Sequence, residues 1–339
     1  MRLQRTLAGV RHVDHHAHSI LRAGPRDLDA FRGLFSESAD PRQWPHVATT
    51  ITYQRAVELL ALELGCESRE EAILERRRGS DPMQYASQLL TAAGAEVLLL
   101  DEGYPPPTEA LSTAEMGELA SCPAYPVLRL ETLEIDERGV LPGHSLTRVA
   151  AARGAGYVAL KTVVAYRGGL DLEALEAATR DRLLAALEVN RADRDPLPVQ
   201  IHTGFGDPDL RLVRADPSHL KPLFERFAET DFVLLHCYPF VREAGWLASV
   251  YANVFLDLSL TIPHVSRPAA VVAEAVELAP LSKLLYGSDA VRTPELYLLA
   301  ARWWRAALAE VLGGLLSQRG AERGAELILR ENALALYRL

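Results

Sequence analysis

Arg11–Ser19 reads RHVDHHAHS, and it holds four of the chain's 10 histidines. In an extended strand alternate side chains share a face, so His12, Asp14, His16 and His18 are expected on one side, with Val13 and His15 on the other. If the even-numbered set faces the inside of a barrel, His16 and His18 reach the same end of the strand together. Two imidazoles placed that way can bind one metal ion. On this reading His12 sits lower, as core, and His15 turns outward to pack against or bond to a helix.

Seven more strand-like runs follow: AEVLLLDE, YPVLRLET, GYVALKTV, LPVQIHT, DFVLLHC, NVFLDLSL and KLLYGSD. They are rich in Val, Leu and Ile and bounded by Gly, Pro or Asp, as strands buried on both faces should be. Helical patterns separate them, among them LDLEALEAATRDRLLAALEVNRAD and TPELYLLAARWWRAALAEVLGGLL. Strands alternating with helices imply a parallel sheet, and eight such units imply an α/β fold of the (β/α)8 TIM-barrel type. Residues 20–92 exceed what one crossover helix needs and carry the strongly helical TTITYQRAVELLALELGCESREEAILERRRG. They are expected to form a helical insertion after the first strand, near the barrel mouth, within a single domain spanning 1–339. Trp303 and Trp304 are expected in the core or at a subunit contact of a homo-oligomer.

Composition narrows the function classes. Hydrophobic residues make up 49% of the 339, enough for a large core, and the formal net charge is -9. That acidic balance argues against nucleic acid or an anionic membrane as the main partner. The 3 cysteines have no C-x-x-C spacing, which fits a reducing compartment without a disulfide framework. The N-terminal residues have no apolar signal-like core, and no apolar run is long enough for a bilayer, so a cytoplasmic protein acting on a small molecule is expected.

Ionisable residues close several of the apolar runs. His202 ends LPVQIHT, His236 ends DFVLLHC, Asp289 ends KLLYGSD, and Lys161 lies in GYVALKTV. In a barrel these ends meet at one rim, where burying such groups requires metal, charge pairing or hydrogen bonds. Asp289 could instead be a turn or cap residue, and a lone His of this kind is more often structural than a ligand. The coincidence across four strands lifts the metal reading.

H-x-H after the first strand, Lys on the fourth, His on the fifth and sixth and Asp on the eighth resembles the amidohydrolase superfamily, from Val10 to the terminal helix. More narrowly, KTVVAYRGGL, QIHTGFGDPDLRL, VLLHCYPF and ASVYANVFLDLSL are similar to the amidohydrolase-type domain of nodulin-related, glutamine-synthetase-like fusion proteins. The barrel domain is expected here without the synthetase part. The resemblance implies His16, His18 and Asp289 on the more buried metal and His202 binding metal or bridging two ions. It places His236 on a second metal or on the substrate. Lys161, if carbamylated, would bridge two ions, whereas a charged Lys161 fits a single ion, because an ammonium has no lone pair.

Mixed imidazole and carboxylate ligands suit Zn2+, with manganese or iron as alternatives and one or two ions open. Metal-bound water would attack an amide, ester or other carbon–nitrogen bond, with Asp289 as general acid–base and His236 polarising the carbonyl. Arg129, Arg167, Arg292, Tyr104 and His264 are the candidate substrate contacts, and the arginines suit a carboxylate-bearing substrate such as a glutamyl-type amide. Arg129 could equally satisfy Glu131 or Asp101. Two other readings remain: a metal-dependent decarboxylase or lyase on the same barrel, and a metal-stabilised interaction module without turnover.

Overall fold

A computed structural model describes residues 2–137 and 139–339. Eight strands follow one another around one sheet in chain order. They are β1 His12–Ala17, β2 Ala95–Asp101, β3 Ala124–Arg129, β4 Ala159–Thr162, β5 Val199–His202, β6 Phe232–Leu235, β7 Val254–Asp257 and β8 Leu284–Leu285. Each neighbouring pair is parallel, as helical crossovers require. The barrel closes between its last and first strands through backbone bonds. His15 N–H donates to Tyr286 O at 3.3 Å, Asp289 N–H to His16 O at 2.9 Å, and His18 N–H to Ala290 O at 2.9 Å. The expected (β/α)8 barrel is the observed fold.

Strand alternation sorts the apolar residues into two layers. Val13, Val97, Leu99, Val127, Ala159, Val233, Leu235 and Leu285 face the lumen, where Ala333, Leu336 and Tyr337 of the last helix plug it. Leu98, Leu100, Leu160, Ile201 and Leu234 face outward into the main core with the surrounding helices. Among the described residues no helix is long and apolar enough to cross a membrane.

The first strand departs from simple alternation. Asp14 pairs with Leu98 but Ala17 pairs with Leu100, so β1 spends three residues where β2 spends two. This bulge reverses the facing expected from the sequence. Val13 and His15 face the lumen, while His12 lies on the outer side, where Arg305 Nη2 donates to its Nδ1 at 3.0 Å. Beyond the extra residue His16 also points inward. Consecutive histidines therefore share the lumen, which a strict two-residue period forbids.

Between β1 and β2 lie the helices Leu28–Gly33, Trp44–Val47, Ile51–Leu64, Glu70–Arg78 and Pro82–Ala93. The last packs on the helix Pro294–Leu315 and serves as the crossover. The others are fastened to the barrel at several places, among them two clusters. At one, Arg77 donates to the fully buried Glu295 at 2.5 Å and to Thr293 at 2.8 Å, and Tyr85 O–H donates to Glu295 at 2.8 Å. At the other, Thr52 donates to His264 O at 3.3 Å and Arg55 donates to Ser266 O.

Removing one partner of a buried pair leaves an uncompensated charge. Glu295→Gln is expected to cost about 3 kcal/mol, read as a lower urea midpoint, and Arg77→Met in the same chain to restore part of the loss. An unchanged midpoint in the single variant would show that the pair does not hold the insertion.

Candidate metal centre

The strand ends gather ionisable groups because parallel strands place all their C-termini on one rim. Lys161 and Gln200 project into the lumen from β4 and β5, two positions along from Ala159 and two before His202 respectively. His16, His18 and Asp289 converge across the closing seam. One ligand atom from each lies within 4.8 Å of the others. Asp289 Oδ1 is 2.9 Å from His16 Nε2 and 3.2 Å from His18 Nε2. The seam bond from Asp289 N–H to His16 O fixes this approach.

The hydrogen bonds behind these rings settle their tautomers. Gln200 Nε2 lies 2.7 Å from His15 O, and only the amide nitrogen can donate to a carbonyl. Gln200 Oε1 therefore faces His16 Nδ1 at 2.9 Å, so His16 carries its proton on Nδ1 and leaves Nε2 bare. His18 Nδ1 donates to Tyr104 O at 2.8 Å, which leaves Nε2 as its atom facing Asp289. Burial, followed by the Lys161 ammonium, pushes the His16 imidazole down to about 4. The same two causes hold His202 well below the usual imidazole range. These rings are neutral, as ligands must be.

Two further atoms point to a cation. His202 Nε2 and Asp289 Oδ1 are buried with no hydrogen-bond partner. A buried orphan lone pair is costly unless a metal accepts it. His16, His18 and Asp289 thus fit a divalent ion, while His202 lies outside that 4.8 Å cluster and offers its orphan Nε2 from beside it. Lys161 Nζ stands 3.2 Å from His16 Nε2, and burial, opposed by Asp101 and Asp289, lowers its pKa to about 8.

His236 is reached differently. Val233 and Leu235 face the lumen, so strict alternation would turn His236 out and Cys237 in. Instead His236 and Cys237 adopt φ of 70° and 63°, and the two left-handed residues bring the imidazole to the rim. Asp289, with φ of 47°, is also left-handed, and such conformations in non-glycine residues mark functional sites. His236 Nδ1 lies 2.8 Å from Ser259 Oγ and 3.3 Å from Leu260 N, and since the Ser259 hydroxyl donates to Asp257, the shorter contact places the ring proton on Nδ1, as in His16 and His18. Cys237 is buried, and burial pushes its thiol well up, in keeping with a packing role.

A connected floor supports both histidines. Tyr337 O–H accepts from Gln200 Nε2 at 3.1 Å and donates to His15 Nδ1 at 2.9 Å. His15 Nε2 then donates to Asp257 Oδ2 at 2.8 Å, and Asp257 Oδ1 accepts from His236 N–H at 2.6 Å and from Ser259. Ser259 Oγ also sits 2.8 Å from His236 Nδ1. A Cβ at Gly287 would lie 3.0 Å from Asp257 Oδ2 and 3.2 Å from His15 Nε2, so only glycine leaves room for that pair.

The expected substrate contacts divide. Arg129, Arg167 and Tyr104 line a cavity of about 200 Å3 with His18, Lys161, His202, His236 and Asp289. Arg129 pairs with the buried Asp101 at 2.6 Å, and Glu131 turns away to accept from Thr162 at 2.6 Å. Burial would raise the Asp101 carboxyl, but the Arg129 guanidinium more than offsets it and holds it below the carboxylate range. Arg292 is directed elsewhere: it donates to Ser36 O at 3.1 Å, on the insertion. His264 lines a neighbouring cleft. Sequence reasoning missed Gln200, Asp257, Ser259, Tyr337 and Glu37. Gln200, two residues before His202, and Asp257, a carboxylate at a strand end, obeyed rules already in use; Tyr337 and Glu37 gave no local signal.

The sequence profile of the amidohydrolase family matches residues 141–339. The protein FluG of Emericella nidulans is 30% identical over an alignment covering 98% of this chain, and the chain spans 47% of that protein. A provisionally designated metal-dependent hydrolase from Lactobacillus casei superposes with a TM-score of 0.89 at 26% identity, covering 99% of this chain and 97% of its own. A uronate isomerase from Thermotoga maritima shares the fold, with a TM-score of 0.67 at 14% identity over 99% and 96% of the two chains.

Gln200→Leu keeps a similar shape but takes the acceptor from His16 Nδ1. Metal affinity, measured by competition with a chromogenic chelator, is expected to fall about 10- to 100-fold. A value within twofold of the parent would show that the floor does not orient the ligand.

Proposed function

The chain belongs to the amidohydrolase family, and from that premise we propose a metal-dependent hydrolase of a small, carboxylate-bearing amide or related carbon–nitrogen compound. The observation that carries the reading is the convergence of the His16 and His18 Nε2 atoms on a carboxylate oxygen that has no hydrogen-bond partner among the described residues. His16, His18 and Asp289 would hold the ion, with His202 beside it. Once bound, a divalent ion, Zn2+ above manganese or iron for this donor set, lowers the pKa of water toward about 7 and makes it a nucleophile.

The chain's own residues supply the remaining roles. Asp289 accepts the attacking water's proton and returns it to the leaving group. His236 lines the cavity and would polarise the carbonyl oxygen as charge develops there, or take a second ion. Arg129 and Arg167 hold the substrate carboxylate, Arg129 retaining its bond to Asp101. Lys161 decides the number of ions. Its lowered pKa leaves neutral amine to take up CO2, and a carbamate would add a second ion, whereas the unmodified ammonium goes with one.

Chelator dialysis is expected to abolish hydrolysis of a panel of N-acyl amino acids and γ-glutamyl amides, and zinc to restore it. Asp289→Asn should lower kcat by about 10^2- to 10^4-fold. A chain carrying stoichiometric metal that turns over none of the panel would sink the hydrolase reading. Intact mass of the native protein, set beside its metal-to-chain ratio, distinguishes carbamylated from free Lys161.

A further inference from the structure

A second cleft, of about 280 Å3, lies beneath the insertion, and Glu37 lines both this cleft and the metal cavity. Its walls are aromatic. Phe35 and Tyr53 meet edge to face with ring centroids 5.2 Å apart, and Phe205 and His264 do so at 6.2 Å. Glu37 is held by its neighbours: Ser38 N–H donates to Ser36 Oγ at 3.1 Å, Trp44 Nε1–H to Ser38 O at 2.9 Å, and Arg292 to Ser36 O at 3.1 Å. The Glu37 carboxylate itself accepts no hydrogen bond among the described residues, although its side chain is only 27% exposed. The group nearest it that could carry a positive charge is His264, whose Nε2 is 3.9 Å from Oε1.

The tautomer of His264 makes this spacing informative. His264 Nδ1 lies 2.8 Å from Leu260 O, a carbonyl that only accepts, so Nδ1 holds the proton. The neutral ring then offers a lone pair on Nε2, and two acceptors face each other with no donor between them. A protonated His264 would draw the carboxylate to about 2.8 Å, the length of a charge-assisted bond. A bridging water could donate to both, but it would leave the Glu37 charge unpaired. A group that donates two hydrogens and carries positive charge satisfies both acceptors, and aromatic walls favour such a cation.

We propose that this cleft is a subsite for a protonated amine on the substrate, with the ammonium bridging Glu37 and His264 Nε2 and its hydrocarbon part lying between Phe35 and Phe205. The proposal rests on the metal cavity being the reaction centre. It adds that the substrate is bipolar: a carboxylate near Arg129 and Arg167, and an alkyl- or arylammonium beyond Glu37.

Binding of simple probes tests this without turnover. Phenethylamine and its neutral counterpart 2-phenylethanol are titrated into the metal-loaded chain by calorimetry. The amine is expected to bind about tenfold or more tighter, the worth of a hydrogen-bonded charge. Glu37→Gln should erase that preference at unchanged metal content, and Glu37→Lys should transfer it to 3-phenylpropanoate. Equal affinity for amine and alcohol, or a preference that survives Glu37→Gln, overturns the subsite, even if N-acyl amino acids are hydrolysed. An amine preference that depends on Glu37 supports it, even if the hydrolase panel is silent.

Discussion

Closure of the barrel between β8 and β1 is the constraint on which the site depends. An open sheet of the same eight strands would leave Asp289 and His16 at opposite edges, some seven strand spacings of nearly 5 Å apart. The seam brings them to 2.9 Å and fixes them with a backbone bond between the same two residues. It also hides unpaired backbone groups that an open edge would leave exposed. Fold and ligand geometry are therefore one event: the hydrogen bonds that finish the cylinder also assemble the donor set.

A bulge next to that seam gives the first strand its double use. With His15 and His16 both inside, one imidazole anchors the floor and the next faces the rim. His15 joins Tyr337 and Asp257, and through Asp257 it steadies the backbone of His236. His16 leans on Gln200, which is bonded to the same tyrosine. The two sides of the centre thus share one buried support, built from β1, β5, β7 and the last helix. Its bond directions follow from the need of Gln200 to donate to a carbonyl, so a polarity error at one residue would propagate through the floor.

Much of this was legible in the sequence where a local rule applied. Seven of the eight strands read correctly because each is a short run rich in Val, Leu or Ile bounded by turn residues, and β1, HVDHHA, was read from its alternating histidines. His202 and Lys161 fell on the lumen side because ordinary alternation holds in β4 and β5, whereas Asp289 lies past the end of β8 in a left-handed conformation and was placed by its position after that strand. The facing of His12 and His15 was not legible, since a one-residue bulge leaves no mark in composition. His236 reached the rim for a reason unrelated to alternation, through two left-handed residues that the sequence did not announce. Arg292 follows Asp289 closely in the chain, and its guanidinium donates to Ser36 O on the insertion. Tyr337 and Glu37 act at the site from far along the chain, where only the folded molecule shows proximity.

The fastenings of the insertion set how molecules come and go. With Arg77 locked to a buried carboxylate on one side and Thr52 and Arg55 bonded to the backbone at residues 264 and 266 on the other, this segment is a fixed porch rather than a hinged door. Traffic then passes a cavity whose lining includes Glu37, Asp207, Asp209 and Arg167. Capture speed at such a cavity is governed by the field of those charges, which dissolved salt damps over roughly 10 Å at 0.1 M. Molecules whose own charges match that pattern would arrive already turned the right way round.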